Sequence, residues 1–407
     1  MCRVSLVRAS QEQAVRRAVQ LAGALDLMVG SGSRVLIKPN LVAVPPHPRN
    51  GAVTWVEVVR AVADVVRDMG GRPVIADSAA VGACTEDVVA VCGYGALREK
   101  GYPVLDLKDT EEVEVAVPGG VVLSHLVTYR PVLEADLVVS VPVLKTHDQL
   151  GASLAIKNLK GLLADRDKKR LHAVGVVEGV CDLLTVLPPL YAVVDGTVGQ
   201  EGLGPVFGRP VPLGVVLAGA DLVAVDTVAG WIMGFGPGEL PLSRRAAERG
   251  LGCGDLEAIE VTGEDPARVR RRFVRAEEDV SLDIPGFRVV FAPRTCTGCH
   301  HTVLSVVAEI TGEGRTAALH GKTVVAGRLS PADVQGFDQD RRGSAADCPG
   351  GCSSPRFFPC PGEPYEKNVV LVGNCLAEHA RLGSCWVRGC PPHNAWVKDA
   401  LLRGPGP

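Results

Sequence analysis

The first two thirds of the chain alternate short runs of β-branched and aliphatic residues with longer amphipathic stretches. RVLIKPN (34–40) and RPVIADS (72–78) are apolar runs of strand length. Between them TWVEVVRAVADVVRDMG carries apolar residues at helical spacing, which predicts a helix with Thr54 as N-cap and Gly70 as its stop. ADLVVSVPVL, LYAVVDG and VPLGVVLAG predict later strands, AVDTVAGWIMGF a helix, and LEAIEVTGE a closing strand. Strands separated by helices, with apolar residues filling both strand faces, predict an α/β fold: a mostly parallel sheet with helices on both faces. The polar stretch DPARVRRRFVRAEEDVSLDIPG reads as a connector ending at Pro285 and Gly286, so the domain boundary is expected between 1–284 and 285–407.

After the connector the pattern restarts. FRVVFAP, KTVVAG, KNVVLVGNC and SCWVRGC predict four strands of a smaller α/β domain. The stretch near 335–367, rich in Gly, Pro and Ser and without periodicity, reads as an inserted loop.

The 407 residues are 46% hydrophobic, enough to fill two or three cores. Lys+Arg 43 against Asp+Glu 46 leaves a formal charge of -3, so no overall basic field invites nucleic acid and any charged site must be local. The N-terminal stretch lacks an apolar leader core, and no run of about 18 apolar residues is available to span a bilayer. The expected location is cytoplasmic, with no membrane span.

Cysteine changes the picture. Thirteen cysteines in a chain of this size favour thiolate-metal chemistry over a disulfide scaffold. Eight of them follow residue 290: Cys296, Cys299, Cys348, Cys352, Cys360, Cys375, Cys385 and Cys390. In a parallel sheet the loops leaving the strand carboxyl ends gather on one edge. Cys296, Cys299, Cys375 and Cys390 all follow strands and are expected there. Four sulfurs at one edge suit a 4Fe-4S cluster or a structural zinc. Zinc sites generally use two close pairs, whereas here one pair is joined by two isolated cysteines, which favours iron-sulfur. A thioredoxin-like pair or a zinc knuckle would account for CTGC but not for GNC and GCPPH. A second metal site on Cys348, Cys352 and Cys360 is the less favoured reading of the insertion, and Cys385, early in its strand, reads as a small hydrophobe. The order CTGC, GNC, GCPPH resembles the proximal-cluster domain of nickel-iron hydrogenase small subunits and of the small subunit of respiratory complex I. The resemblance implies a flavodoxin-like iron-sulfur domain in which Cys296, Cys299, Cys375 and Cys390 hold one 4Fe-4S cluster.

In the larger domain, polar groups follow apolar strands at Lys38 and Asn40 in LIKPNL, Lys145 and His147 in VPVLKTH, Lys157, Asn158 and Lys160 in AIKNLKG, and Asp195 in VVDGTVGQEGLGPVFG. Packing does not require such charges, so they are expected to converge on a cationic pocket for a carboxylate or phosphate. The glycines after Asp195 are expected to form an anion-cradling turn. Neither a Walker motif nor GxGxxG opening a helix occurs, so nucleotide binding has no direct support. KPNL, DLVVSVPVLKTH with KNLKG, the glycine loop, and LAGADLVAVDTVAGWIMG together resemble the family named domain of unknown function 362, commonly paired with iron-sulfur modules. The usual D-S-P-G after the third strand reads ADSAA here. A fainter similarity joins LKTH and KNLKG to the lactate racemase type of fold.

The leading functional reading is an iron-sulfur oxidoreductase that binds a small anionic substrate and passes electrons through a 4Fe-4S cluster, with a redox protein as partner. Lys38, Asn40, Lys157 and Asn158 are the expected anion clamp, Lys145 or His147 the proton-handling group, and Asp195 an orienting acceptor. The alternatives are a non-catalytic electron carrier or assembly module that docks on a partner, and a non-redox isomerase or hydrolyase with a structural cluster.

Overall fold

In the computed structural model the described residues are 2–8, 11–147, 150–292, 294–295, 297–329, 368–389, 392 and 394–403. They divide into two compact units, Met1–Asp279 and Val280–Pro407.

The strands of the first unit are β1 (Cys2–Arg8), β2 (Arg34–Pro39), β3 (Arg72–Asp77), β4 (Val104–Asp106), β5 (Glu112–Ala116), β6 (His125–Tyr129), β7 (Leu137–Val141), β8 (Val143–His147), β9 (Gly151–Ser153), β10 (Leu190–Glu201), β11 (Arg209–Val211), β12 (Val215–Gly219) and β13 (Ile259–Gly263). The main sheet runs β13-β1-β12-β10-β7-β2-β3-β4, and β5 and β6 form a separate hairpin. From β10 to β4 every neighbouring pair is parallel. Antiparallel pairing enters where β12 joins β1 and β10. The sheet is thus mostly parallel, as its unbroken apolar runs predict.

Alternate residues of each central strand feed two different cores. Leu36, Val138, Ala192 and Val194 belong to one. Val35, Ile37, Leu137, Val139, Tyr191 and Val193 belong to the other. The helix Val56–Asp68 covers the second face with Val58, Val59, Val62 and Val66, and the helix Leu222–Ile232 covers the first. Helices on both faces follow from this division.

Two local expectations are corrected. Thr54 does not cap the helix that follows it: Trp55 holds the cap position, and the Thr54 hydroxyl donates to the Val141 carbonyl at 2.7 Å while accepting from the Asn40 N–H at 2.8 Å. Tying two strand ends together outweighs a cap bond. The stretch after Asp195 is also not a turn at first, because β10 runs on to Glu201 and takes in Gly196 and Gly199. There the glycines permit close contact, and of Gly196, Gly199, Gly202, Gly204 and Gly208 only Gly202 has a positive φ.

The second unit contains β14 (Arg288–Phe291), β15 (Thr323–Ala326), β16 (Val369–Val372) and β17 (Cys385–Val387), all parallel and ordered sequentially. Val290, Val325, Val369 and Leu371 form its core with Leu376 and Leu382. Each predicted cysteine-bearing strand is followed by helix: Thr297–Gly312, the 3-10 segment Asn374–Leu382, and Asn394–Leu402.

Candidate functional site

At the carboxyl edge of the first unit's parallel strands lies a group of lysines. Lys38 is the penultimate residue of β2 and Asp77 the last of β3, and the parallel pairing that sets Ile37 beside Ile75 leaves the two at neighbouring strand ends. Lys38 Nζ lies 2.6 Å from Asp77 Oδ1, with the residues 1% and 3% exposed. It also donates to Asn158 Oδ1 at 3.1 Å and to the Pro39 carbonyl at 2.9 Å. Asn158 in turn donates to the Lys38 carbonyl and to Ser140 Oγ, both at 3.1 Å, which clasps β2, β7 and the short helix Ala155–Asn158 together. Burial pushes the Lys38 ammonium below its ordinary value, and the Asp77 carboxylate opposes that. Breaking such an enclosed pair by removing one partner generally costs roughly 3–5 kcal/mol. Gly161 passes directly over it: a Cβ there would stand 2.5 Å from Asp77 Oδ1 and 2.7 Å from Lys38 Nζ.

Lys145, on β8, is equally enclosed, at 1% exposure. Its Nζ donates to Asn40 Oδ1 and the Ala52 carbonyl, both at 2.6 Å, and to the Pro205 carbonyl at 3.1 Å. None of these acceptors carries a charge. Burial, followed by repulsion from Lys157 and Lys38, pushes Lys145 well below the ordinary lysine value. The geometry acts the other way: three acceptors match the three protons of an ammonium, whereas a neutral amine has only two to give. Lys145 therefore ties two loops together, one carrying Asn40 and Ala52 and the other Pro205, around a cation with no carboxylate partner among the described residues.

Two further lysines complete the group. Lys160 Nζ lies 2.7 Å from His172 Nε2, and burial, then Lys157 and Lys168, push it well below its ordinary value. Lys168 Nζ donates to Ser78 Oγ at 2.7 Å, to the Ser78 and Ala79 carbonyls, and to Asp165 at 3.0 Å. Burial lowers Lys168 as well, and Asp165 opposes the shift. Because Lys157 repels both Lys145 and Lys160, the five lysines form one continuous electrostatic group.

The expected residues Lys38, Asn40, Lys145 and Asn158 are thus brought together, with Lys157 coupled to them by charge. His147 ends β8 and is half-buried. Asp195 faces another way. Its Oδ2 accepts from the Trp55 N–H at 2.9 Å, and its Oδ1 accepts from the Thr197 N–H at 3.0 Å and hydroxyl at 2.6 Å. Burial raises its carboxyl, against those hydrogen bonds. Lys168 and His172 lie outside every motif singled out in the sequence, and Asp77 and Ser78 lie in ADSAA without being among the expected site residues. Asp77 had a legible signal, a carboxylate closing an apolar strand, whereas Lys168 and His172 lie in DRDKKRLH, which reads as a solvated helix face.

In the second unit the loop after β16 approaches the start of the helix Thr297–Gly312. Gly373 has φ +108, and a Cβ built on it would stand 2.9 Å from Cys299 Sγ and 3.5 Å from Cys375 Sγ. The two sulfurs therefore flank one point that only a glycine leaves open. The Gly389 carbonyl is 4.0 Å from the same point. Asn374 and Gly389 exchange two hydrogen bonds, Asn374 N–H to the Gly389 carbonyl at 2.9 Å and Gly389 N–H to Asn374 Oδ1 at 2.8 Å. Trp386 Nε1 donates to the Gly373 carbonyl at 2.9 Å and steadies the same loop. Cys296 and Cys390 lie outside the described residues, as do Cys348, Cys352 and Cys360; the neighbours Thr295 and Gly389 end on the edge that carries Cys299 and Cys375. Two soft donors facing an open point suit a metal-sulfur group. Cys385 is half-buried in β17, and burial raises its thiol. Among the described residues no cluster of three or more His, Cys, Asp or Glu is arranged to hold a metal ion.

Residues 35–230 match the family described as domain of unknown function (DUF362). A thylakoid-associated protein of Synechocystis sp. is 31% identical over 274 residues, which cover 63% of this chain and 81% of that protein. The chain belongs to the DUF362 family. The DUF362 match contains all five lysines and ends before the first cysteine of the second unit. Among solved structures, the lactate racemase apoprotein of Thermoanaerobacterium thermosaccharolyticum aligns over 84% of this chain and 73% of that one, at 14% identity and a TM-score of 0.37. No helix among the described residues is long and apolar enough to cross a membrane.

Proposed function

We propose that this DUF362 protein is an iron-sulfur oxidoreductase: its first unit binds a small carboxylate or phosphate, and its second holds a 4Fe-4S cluster on Cys296, Cys299, Cys375 and Cys390. The observation that carries the reading is the approach of Cys299 and Cys375 to one open point beside Gly373, with the residue preceding Cys390 hydrogen-bonded to the residue preceding Cys375. The bound cluster supplies one-electron chemistry. In the first unit, Lys145 and Lys160 are enclosed with no carboxylate partner among the described residues, and an anion entering beside them favours their charged forms. Lys38 is committed to Asp77 and Asn158, and Asn158 to Lys38 and Ser140, so their part in the clamp is to hold Lys157 and Lys160 in place. A redox protein is the partner that such a cluster calls for.

Anaerobically prepared protein is expected to contain about four iron and four sulfide per chain, with a visible absorption that dithionite bleaches. Cys375→Ser should lose the iron while sulfate or acetate still raises the melting temperature of the first unit. Stoichiometric zinc in place of iron would overturn the redox half, and a full cluster with no response to any anion is the result expected of an electron carrier instead.

A further inference from the structure

We propose that Lys160 and His172 act as one proton-sharing pair that takes up a proton when a small oxyanion enters the lysine group. The inference rests on the anion-binding reading above and adds two residues and a proton balance to it.

The geometry is an N···N contact of 2.7 Å between Lys160 Nζ and His172 Nε2. Two basic nitrogens at that distance share one hydrogen. Either the ammonium donates to a neutral imidazole or an imidazole N–H donates to a neutral amine, and two charged partners would set N–H against N–H. The pair therefore carries at most one positive charge. Its surroundings disfavour even that one. Lys157 on the preceding helix and Lys168 on the helix Asp165–Val174 both repel Lys160. Among the described residues, Asp77 is engaged with Lys38 at 2.6 Å, and Asp165 with Lys168 at 3.0 Å and Lys108 at 3.3 Å. Lys160 is partly exposed as a residue, yet burial of its amine is the leading cause of its lowered affinity for a proton.

An anion reverses the balance. With a carboxylate or a tetrahedral oxyanion beside Lys160, the neutral pair gains one proton from solvent, and the complex gains one ammonium with two N–H groups to donate to the ligand. One bound anion accompanies one proton, which offsets one unit of the charge brought in. Linkage then requires the affinity to fall as pH rises, by up to about tenfold per pH unit when one full proton is taken up.

Isothermal titration of the full-length protein with sodium sulfate, and separately with sodium acetate, at pH 7.5 in two buffers of different ionisation enthalpy reads the proton count. Both probes are fully ionised, so any proton must come from the buffer. The wild type should take up close to one proton per anion, by the linkage above. Lys160→Arg is charged with or without the anion, because a guanidinium cannot release its proton near neutrality. It should bind the probes at least as well as wild type with no buffer dependence, and His172→Asn should also lose most of the uptake. Wild-type binding without buffer dependence, or undiminished uptake in Lys160→Arg, overturns the proposal and leaves the anion reading standing. No binding of either probe overturns both. Uptake with acetate alone assigns the site to carboxylates, and with sulfate alone to phosphate-like ligands.

Discussion

Asp226 shows how much one enclosed carboxyl controls. It interrupts the apolar helix Leu222–Ile232 at 1% exposure, and its two oxygens accept from the Ala155 N–H at 2.7 Å and the Ile156 N–H at 3.0 Å. Those N–H groups open the short helix that carries Lys157 and Asn158, so Asp226 fixes the position of the cationic group from behind. Burial pushes its carboxyl up to about 7, against the two N–H donors and with some help from Asp221. A folded-state value above the unfolded one means that the unfolded chain releases its proton first as pH rises. Stability contributed by this group is therefore present below about pH 4, lost progressively up to about pH 7, and flat above that, for a total of order 4 kcal/mol. Asp226→Asn cannot titrate and should remove that slope while retaining one of the two N–H contacts. Urea midpoints of both proteins from pH 4 to 8 would check this, and parallel profiles would sink it.

At the scale of elements, the edge formed by parallel strand ends decides where chemistry is possible. β2, β3 and β8 deliver Lys38, Asp77 and Lys145 to one such edge, and β16 delivers Gly373 and Cys375 to another. This much was legible in the sequence, because unbroken β-branched runs followed by a charge or a cysteine fix both the strand and the end that matters. Less legible were features created by meetings of distant segments. Thr54 has the chemistry of a cap but is drawn to the Val141 carbonyl; the glycines of β10 have the composition of a turn but serve close packing; Lys168 hides in a charged helix until Ser78 reaches it. Gly373 combines both kinds of information. Its place after an apolar strand is readable, whereas the sulfur on either side is not. Gly373→Ala would force a Cβ to 2.9 Å from Cys299 Sγ at a φ of +108, which β-carbon-bearing residues rarely adopt. The variant should lose about 1–3 kcal/mol of stability in the second unit and retain well under half of the wild-type iron. Full iron content with an unchanged melting temperature would show that the thiols do not converge on that point.

For the whole molecule, two compact units with separate cores imply two separable responses. The first has a core on each face of its sheet, and the second has its own core built from Val290, Val325, Val369 and Leu371. Unfolding enthalpy scales with the number of ordered residues, so calorimetry should resolve a larger transition near 200 kcal/mol and a smaller one of about 90 kcal/mol or less, for midpoints near 60 °C. Each of three perturbations falls on one unit. On the proposed function, sulfate binding to the folded lysine group should raise the larger transition by mass action, by about 2.7 kcal/mol at a hundredfold excess over its dissociation constant. On the proposed cluster, Cys375→Ser should lower only the smaller transition, because a metal held by the thiolates would favour the folded state. Asp226→Asn should reshape the pH dependence of the larger transition alone, which makes it an internal control for the assignment. A single transition that moves as a whole under all three changes would mean that the lysine group and the cysteine edge belong to one cooperative body, and that anion binding and metal binding report on each other through it.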